Sequence, residues 1–344
     1  MIWILLGTAI LCSVPGTMIV ALILLHYVMR WKYLHHVVRI FQEKPLFIIP
    51  IGQPIPDAED VRLTTADGLQ LRGCYLHAPR PRRGVILFGL EFGSNRWACL
   101  QYCDHLLAAG YDIFTFEYRG QGDSDKPTDY VPMQWVTDYE VRDFKAALEY
   151  LKKRPDRDPR GVGFFGISKG GGAGLLAAVD DPFVRCFVTD GIFATYSTVV
   201  PYMRKWFGLY NHNYLIQDML PYWYYGTVAK VGLRWIEQAC HCHFPYLEKA
   251  IARLQRPLLM IHGGNDTYIR PVMAQVLFDQ ASEPKELWIV PDAKHNQALH
   301  LAGDEYRCRV RFFFDQHLAG DVVEEPPPGT NGVCEKKREM VRSA

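Results

Sequence analysis

The sequence predicts an α/β protein. The expected architecture is a mostly parallel central sheet with helices on both faces and an N-terminal transmembrane helix. Three observations carry this. Short apolar runs alternate with helical patterns from residue 85 onward, as parallel strands joined by crossover helices do. One serine sits among glycines, Gly166-Ile167-Ser168-Lys169-Gly170, between a strand pattern and a helix pattern. Residues 2–29 carry no Asp, Glu, Lys or Arg.

The charge-free run comes first in the chain. A membrane span needs about 20 apolar residues, and this stretch exceeds that. A cleaved signal peptide is the competing reading, but it has a basic leader and a shorter apolar segment. Here no basic side chain precedes the run. Pro15-Gly16 falls at its middle, where it kinks a helix or turns a shallow membrane hairpin. The hairpin is the weaker reading, because lipid-exposed backbone needs internal hydrogen bonds. Arg30, Lys32, Arg39 and Lys44 follow the span, and none precedes it. The positive-inside rule then puts the long C-terminal part on the cytoplasmic side of a single-pass protein. Trp3, Tyr27, Trp31 and Tyr33 flank the run where an aromatic belt would sit.

Composition narrows the partners. The chain has 344 residues, 38 Lys and Arg against 37 Asp and Glu, and a formal net charge of +1. That charge leaves no electrostatic footprint for nucleic acid. Nine cysteines stand at scattered spacings, which suits free thiols in a reducing compartment better than a disulfide framework.

After the anchor, residues 31–60 read as a connector broken by Pro45, Pro50, Pro54 and Pro56. "VRLTTADGLQLRGCYL" alternates and turns at Asp67-Gly68, a hairpin signal. The core strands are expected at Val85–Gly89, Ile113–Glu117, Val162–Gly166, Cys186–Thr189, Leu258–His262 and Leu287–Val290. Trp135, Val141, Phe144, Leu148 and Leu151 recur at near-helical spacing. Residues 197–250 are too long for a simple connection and rich in Tyr and Trp, so they are expected to carry helices of their own. The tail 320–344, charged and proline-rich, reads as disordered.

The serine needs an explanation. G-x-S-x-G between a strand and a helix is the pattern of a nucleophile elbow, where small neighbours let strand and helix approach. A serine hydroxyl is a weak nucleophile near neutral pH, so it needs a base in contact and an acid to orient that base. Asp266 lies in the turn after one late strand, and His295 in the turn after the next. The order Ser, Asp, His is the one this arrangement uses. Asp190, at the end of the fourth core strand, is the reserve acid. Asp292 is less well placed, and His262 and His300 compete poorly with His295.

With these residues in hand, the chain resembles the α/β-hydrolase superfamily over roughly residues 60–318. The resemblance rests on the elbow, on "EYRGQGDSD" (Glu117–Asp125), and on the Asp266 and His295 loops. It implies that residues 61–319 form the hydrolase domain, that 197–250 are a cap over the site, and that Arg119 braces its loop. Two backbone N–H donors are expected for an oxyanion: Lys169 and, from the loop after the first core strand, Leu90, or Glu91 if that loop shifts by one. Relatives often carry His-Gly where this chain has Phe88-Gly89. Glu91 beside a developing anion is unusual, since like charge opposes it. The Lys169 side chain either pairs with Glu91 or lies in solvent.

"CHCH" (Cys240–His243) lacks the spacing and second pair of a structural metal site, so no metal and no cofactor is expected. The aromatic run "YWYY" (222–225) reads first as a hydrophobic cap face, with lining an acyl pocket or touching the bilayer as the further readings. The reading is a membrane-anchored serine hydrolase of esterase or lipase type. It acts on a small-molecule or lipid acyl substrate through an acyl-enzyme on Ser168. Peptidase, thioesterase and acyltransferase chemistry use the same residues. A catalytically silent fold serving as a membrane interaction module is the alternative from another class, and a secreted or periplasmic hydrolase is a third.

Overall fold

The computed structural model describes residues 49–79, 81–210 and 221–321, with the side chains of 204–210 left aside. It also describes residues 16–21, 23, 24, 26–28, 30–32, 35, 39 and 41. Residues 2–15, half of the expected span, and 322–344, all but the first two residues of the expected tail, lie outside the described residues. Among the described residues no helix is long and apolar enough to cross a membrane.

Eight strands form one sheet in the order β1-β2-β4-β3-β5-β6-β7-β8. β1 (Glu59–Thr64) and β2 (Gln70–Leu76) make the expected hairpin, turning through Asp67-Gly68 with Gly68 at φ +85. β2 also pairs antiparallel with β4 (Tyr111–Phe116). From there the sheet is parallel: β3 (Gly84–Gly89), β5 (Val162–Ile167), β6 (Val184–Asp190), β7 (Leu258–Gly263) and β8 (Lys285–Val290). β3, β4, β5 and β7 are buried along their whole length, as strands covered on both faces must be.

The crossover helices are α1 (Cys99–Ala108), α2 (Asp138–Lys153), α3 (Lys169–Ala178) and α7 (Pro271–Gln280), followed by α8 (Ala298–Ala302) and α9 (Asp304–Phe314). α2 starts later than the apolar spacing suggested. Thr137 and Glu140 form a reciprocal capping box there, which satisfies the first free amides and fixes the start. Trp135 therefore lies outside the helix and packs in the cap.

Between β6 and β7 the chain leaves the sheet for α4 (Tyr196–Tyr210), α5 (Tyr222–Cys240) and α6 (Leu247–Ile251). The N-terminus of α4 is capped by Glu248 of α6, whose carboxylate accepts from the amides of Tyr196 at 2.7 Å and Ser197 at 2.8 Å. The cap has its own apolar cluster, in which Met133, Trp135, Val199, Tyr225, Leu233 and Phe244 are among the members, separate from the core around the sheet. Phe41 is buried in that cluster, with its ring centroid 4.6 Å from Trp135. Residues 35, 39 and 41 are helical, so part of the stretch read as a connector is helix, and it docks on the cap because Phe41 finds an apolar seat there.

Candidate active site

The site is built at the C-terminal edge of the parallel strands, where β3, β5, β7 and β8 each hand over to a loop. β5 runs into α3 through Ser168, which sits at φ 49, ψ −120. This is a left-handed conformation that a residue with a side chain enters only when its surroundings force it. The flanking glycines show the force. A Cβ on Gly166 would stand 2.5 Å from the Cα of Gly171, and one on Gly170 would stand 2.3 Å from the carbonyl oxygen of Leu90. The turn is tight because nothing larger than hydrogen fits between strand and helix.

Ser168 Oγ lies 3.0 Å from His295 Nε2, and His295 Nδ1 lies 2.6 Å from Asp266 Oδ2. Asp266 is itself held, since its Oδ1 accepts from the amides of Tyr268 and Ile269, each at 2.8 Å. All three side chains are buried. The sequence order thus brings together a hydroxyl, an imidazole and a carboxylate in one hydrogen-bonded line, although 127 residues separate serine from histidine. Such a line can take a proton from the hydroxyl as it attacks a carbonyl and return it to the leaving group.

The reserve acid goes elsewhere. The Asp190 carboxylate accepts from the Tyr306 hydroxyl at 2.9 Å, and its backbone oxygen accepts from the Ser168 amide at 2.7 Å. Burial pushes the Asp190 carboxyl up to about 7, against the hydrogen bond from Tyr306. Asp292 and His300 are exposed. His262 is buried within β7 and donates from Nε2 to the Ile269 carbonyl at 2.7 Å, so it buttresses the Asp266 turn.

Lys169, the first residue of α3, sends its side chain neither to Glu91 nor to solvent. It is 1% exposed and donates to Glu140 Oε1 at 2.9 Å and to the Met133 carbonyl at 2.6 Å. Glu140 has further donors in Tyr130 and Thr137. Burial acts to raise its pKa, but the Lys169 ammonium and these donors hold it below the ordinary value. The pair locks the first turn of α3 to the start of α2. Leu90 follows β3, and its carbonyl accepts from the Tyr118 hydroxyl at 3.0 Å while lying against Gly170. The loop after β3 therefore passes over the elbow. Glu91 is 2% exposed and bonds Tyr102 and Asn296.

Sequence reading found Ser168, Asp266 and His295 but not these supports. The Thr137-x-x-Glu140 capping signature was visible, yet nothing in it shows that Glu140 would also receive a lysine 29 residues on.

The loop carrying Arg119 is braced as the resemblance implied. Arg119 is fully buried and bidentate on Asp143, and it also reaches Asp67 at 2.8 Å. Glu117 ties the same loop, accepting from the Arg96 side chain at 2.8 Å and the Asp123 amide at 2.9 Å.

The space above Ser168 is about 30 Å³, lined by Phe92, Trp135, Phe193, Tyr202, Tyr268 and Ile269 beside Ser168 and His295. It has room for little more than a water molecule. Aromatic walls from the loop after β3, the cap and the loop after β7 therefore meet over the serine. Cys240 ends α5 in the cap cluster, His241 closes that helix in a left-handed turn, and His243 pairs with Glu237.

A family model described as the alpha/beta hydrolase fold matches residues 85–235. An uncharacterized protein of Mycobacterium tuberculosis is 25% identical over 284 residues, covering 80% of this chain and 88% of its own. The alpha/beta hydrolase domain-containing protein WAV2 of Arabidopsis thaliana is 24% identical over 306 residues, covering 83% and 91%. Among solved structures, esterase Pf2001 of Pyrococcus furiosus superposes with a TM-score of 0.60 at 21% identity, covering 81% of this chain and 98% of the esterase. Strand order, elbow and these likenesses agree on the α/β-hydrolase fold.

Proposed function

We propose that this protein is a membrane-anchored serine hydrolase that cleaves an ester-type acyl bond. The carrying observation is the line from Ser168 through His295 to Asp266 at a strained elbow. Ser168 attacks the acyl carbonyl as His295 takes its proton, and Asp266 orients the imidazole. The amides of Lys169 and Leu90 receive the oxyanion. His295 then protonates the leaving group, and water resolves the acyl-enzyme by the same route. No step calls for a metal or cofactor. The likeness to an esterase supports an ester substrate, and the aromatic walls suit an apolar acyl group.

The anchoring half of the proposal rests on the charge-free run 2–29 and the basic residues after it, with the catalytic domain on the cytoplasmic side. Residues 1–30 are the anchor and 61–319 the catalytic domain with its cap at 197–250. Alkaline carbonate washing of membranes tests the anchor: the full chain should stay in the pellet, and release into the wash would overturn anchoring.

Labelling with a fluorophosphonate probe tests the chemistry. The native chain should label, Ser168→Ala should not, and His295→Ala should label at a small fraction of the native rate. A folded native chain that takes no label would favour the silent-module reading.

A further inference from the structure

The position of Glu91 is the least expected feature of the site. It directly follows Leu90, the proposed oxyanion donor, and an acid there is a poor neighbour for a developing negative charge. Yet it is buried, and both carboxylate oxygens are used. Tyr102 of α1 donates to Oε1 at 2.9 Å, and Asn296 Nδ2 donates to Oε2 at 2.5 Å.

Asn296 is the residue after His295. It sits at φ 56, in the left-handed region, pressed against the end of β6. A Cβ on Gly191 would meet Asn296 Oδ1 at 2.8 Å and His295 Cε1 at 3.3 Å. Among the described residues Asn296 Oδ1 has no hydrogen-bond partner, while its Nδ2 donates to Glu91.

The sheet explains why such a contact is needed. Glu91 leaves β3 and Asn296 follows β8, and in the strand order four steps separate these two strands. At about 4.8 Å a step that is on the order of 19 Å along the sheet, and no backbone ladder joins the two loops. The His295 loop is tied by backbone to its neighbour on β7, where the Asn265 amide donates to the Ala293 carbonyl at 2.9 Å. A side-chain contact is what joins it to the loop after β3.

We propose that Glu91 is a positioning residue that clamps the His295 loop to the oxyanion loop, setting the imidazole in register with the amide of Leu90 over Ser168. This rests on the hydrolase reading above. Tyr102 braces the clamp from α1, so the contact is a three-point support and not a lone surface pair.

The clamp also titrates. Burial pushes the Glu91 carboxyl up to about 7, against the hydrogen bonds from Tyr102 and Asn296 and the attraction of His295, while the nearby Asp190 carboxyl pushes the same way as burial. The groups facing it are thus Tyr102 from α1, His295 and Asn296 from the loop after β8, and Asp190 from the end of β6. Near neutrality a share of the molecules holds Glu91 uncharged, which lessens its repulsion of an oxyanion.

The experiment compares fluorophosphonate labelling rates of full-length native protein, Glu91→Ala, Glu91→Gln, Asn296→Ala and the Glu91→Ala/Asn296→Ala double variant, with thermal melts alongside. Glu91→Ala and Asn296→Ala should each lower the maximal labelling rate by about 10- to 100-fold, the cost of a small misplacement. The half-saturating probe concentration should stay near native. The double variant should lose no more than either single, because both remove one contact. Glu91→Gln, which can bond both partners without charge, should keep most of the native rate and flatten its pH dependence between about pH 6 and 8. Additive losses in the double variant would overturn the clamp, as would a Gln variant as slow as the Ala variant. If the native chain labels and a folded Glu91→Ala labels equally fast, this proposal alone fails. If the native chain takes no label, the hydrolase reading fails and the clamp with it.

Discussion

The floor of the site and its roof are held by different physics. The floor is the elbow between β5 and α3, where backbone meets backbone: Gly166 against Gly171, and Gly170 against Gly89 and Leu90. Those contacts leave no slack, so Ser168 has one place to be. The roof is the cap, whose aromatic cluster of Trp135, Tyr225 and Phe244 with the anchoring Phe41 is separate from the main core. Side chains packed on side chains yield by changing rotamers, while glycine backbones in contact do not. The difference suits the proposed hydrolase, in which Ser168 must not move while the small space beside it, about 30 Å³, widens to admit a substrate.

The largest effect is expected in the floor's chemistry. Asp266→Asn should lower kcat on a soluble ester by about 10³- to 10⁴-fold, since the imidazole loses its orienting acceptor. A loss below tenfold would mean that Asp190 can take over. Next comes the roof. Trp135→Ala should cost about 3–5 kcal/mol. Because the cap cluster is separate, amide exchange should show that loss in α4 and α5 and leave β5 and β6 protected. Equal loss in the sheet would show cap and core to be one cooperative unit.

A smaller effect is expected from Gly170→Ala, which drives a methyl group into the Leu90 carbonyl. It should destabilise the protein by about 1–3 kcal/mol in urea unfolding and slow labelling of Ser168. If it is tolerated without loss, the floor is softer than its contacts indicate. The last effect concerns pH, and it appears only above the acid range. The Asp190 carboxyl is raised in the fold from 3.8 to about 7. The native state therefore holds a proton that the unfolded chain has lost, and stability falls as pH rises through that window. Asp190→Asn should remove this slope, stabilising the protein at pH 8 and leaving it unchanged near pH 3. Unchanged pH dependence of the melting temperature would place the titration elsewhere.

What the sequence determined by itself was whatever depends on local pattern and chain order. The strand runs were legible because buried parallel strands are short and continuously apolar, and the elbow because glycines at 166 and 170 have no other use beside Ser168. Asp266 and His295 were legible because a turn after a strand is where the sheet delivers a side chain to its C-terminal edge. Their residue types, spacing and order are all linear information. Tertiary structure alone decided where the reserve acid goes: Asp190, at the end of β6, meets Tyr306, while Asp266, in the turn after β7, meets His295. It alone sent Lys169 to Glu140 and Glu91 to Asn296, partners 29 and 205 residues apart. A buried charge must find its counter-charge or donors wherever the fold puts them. That choice depends on distances in space, which no periodicity along the chain records.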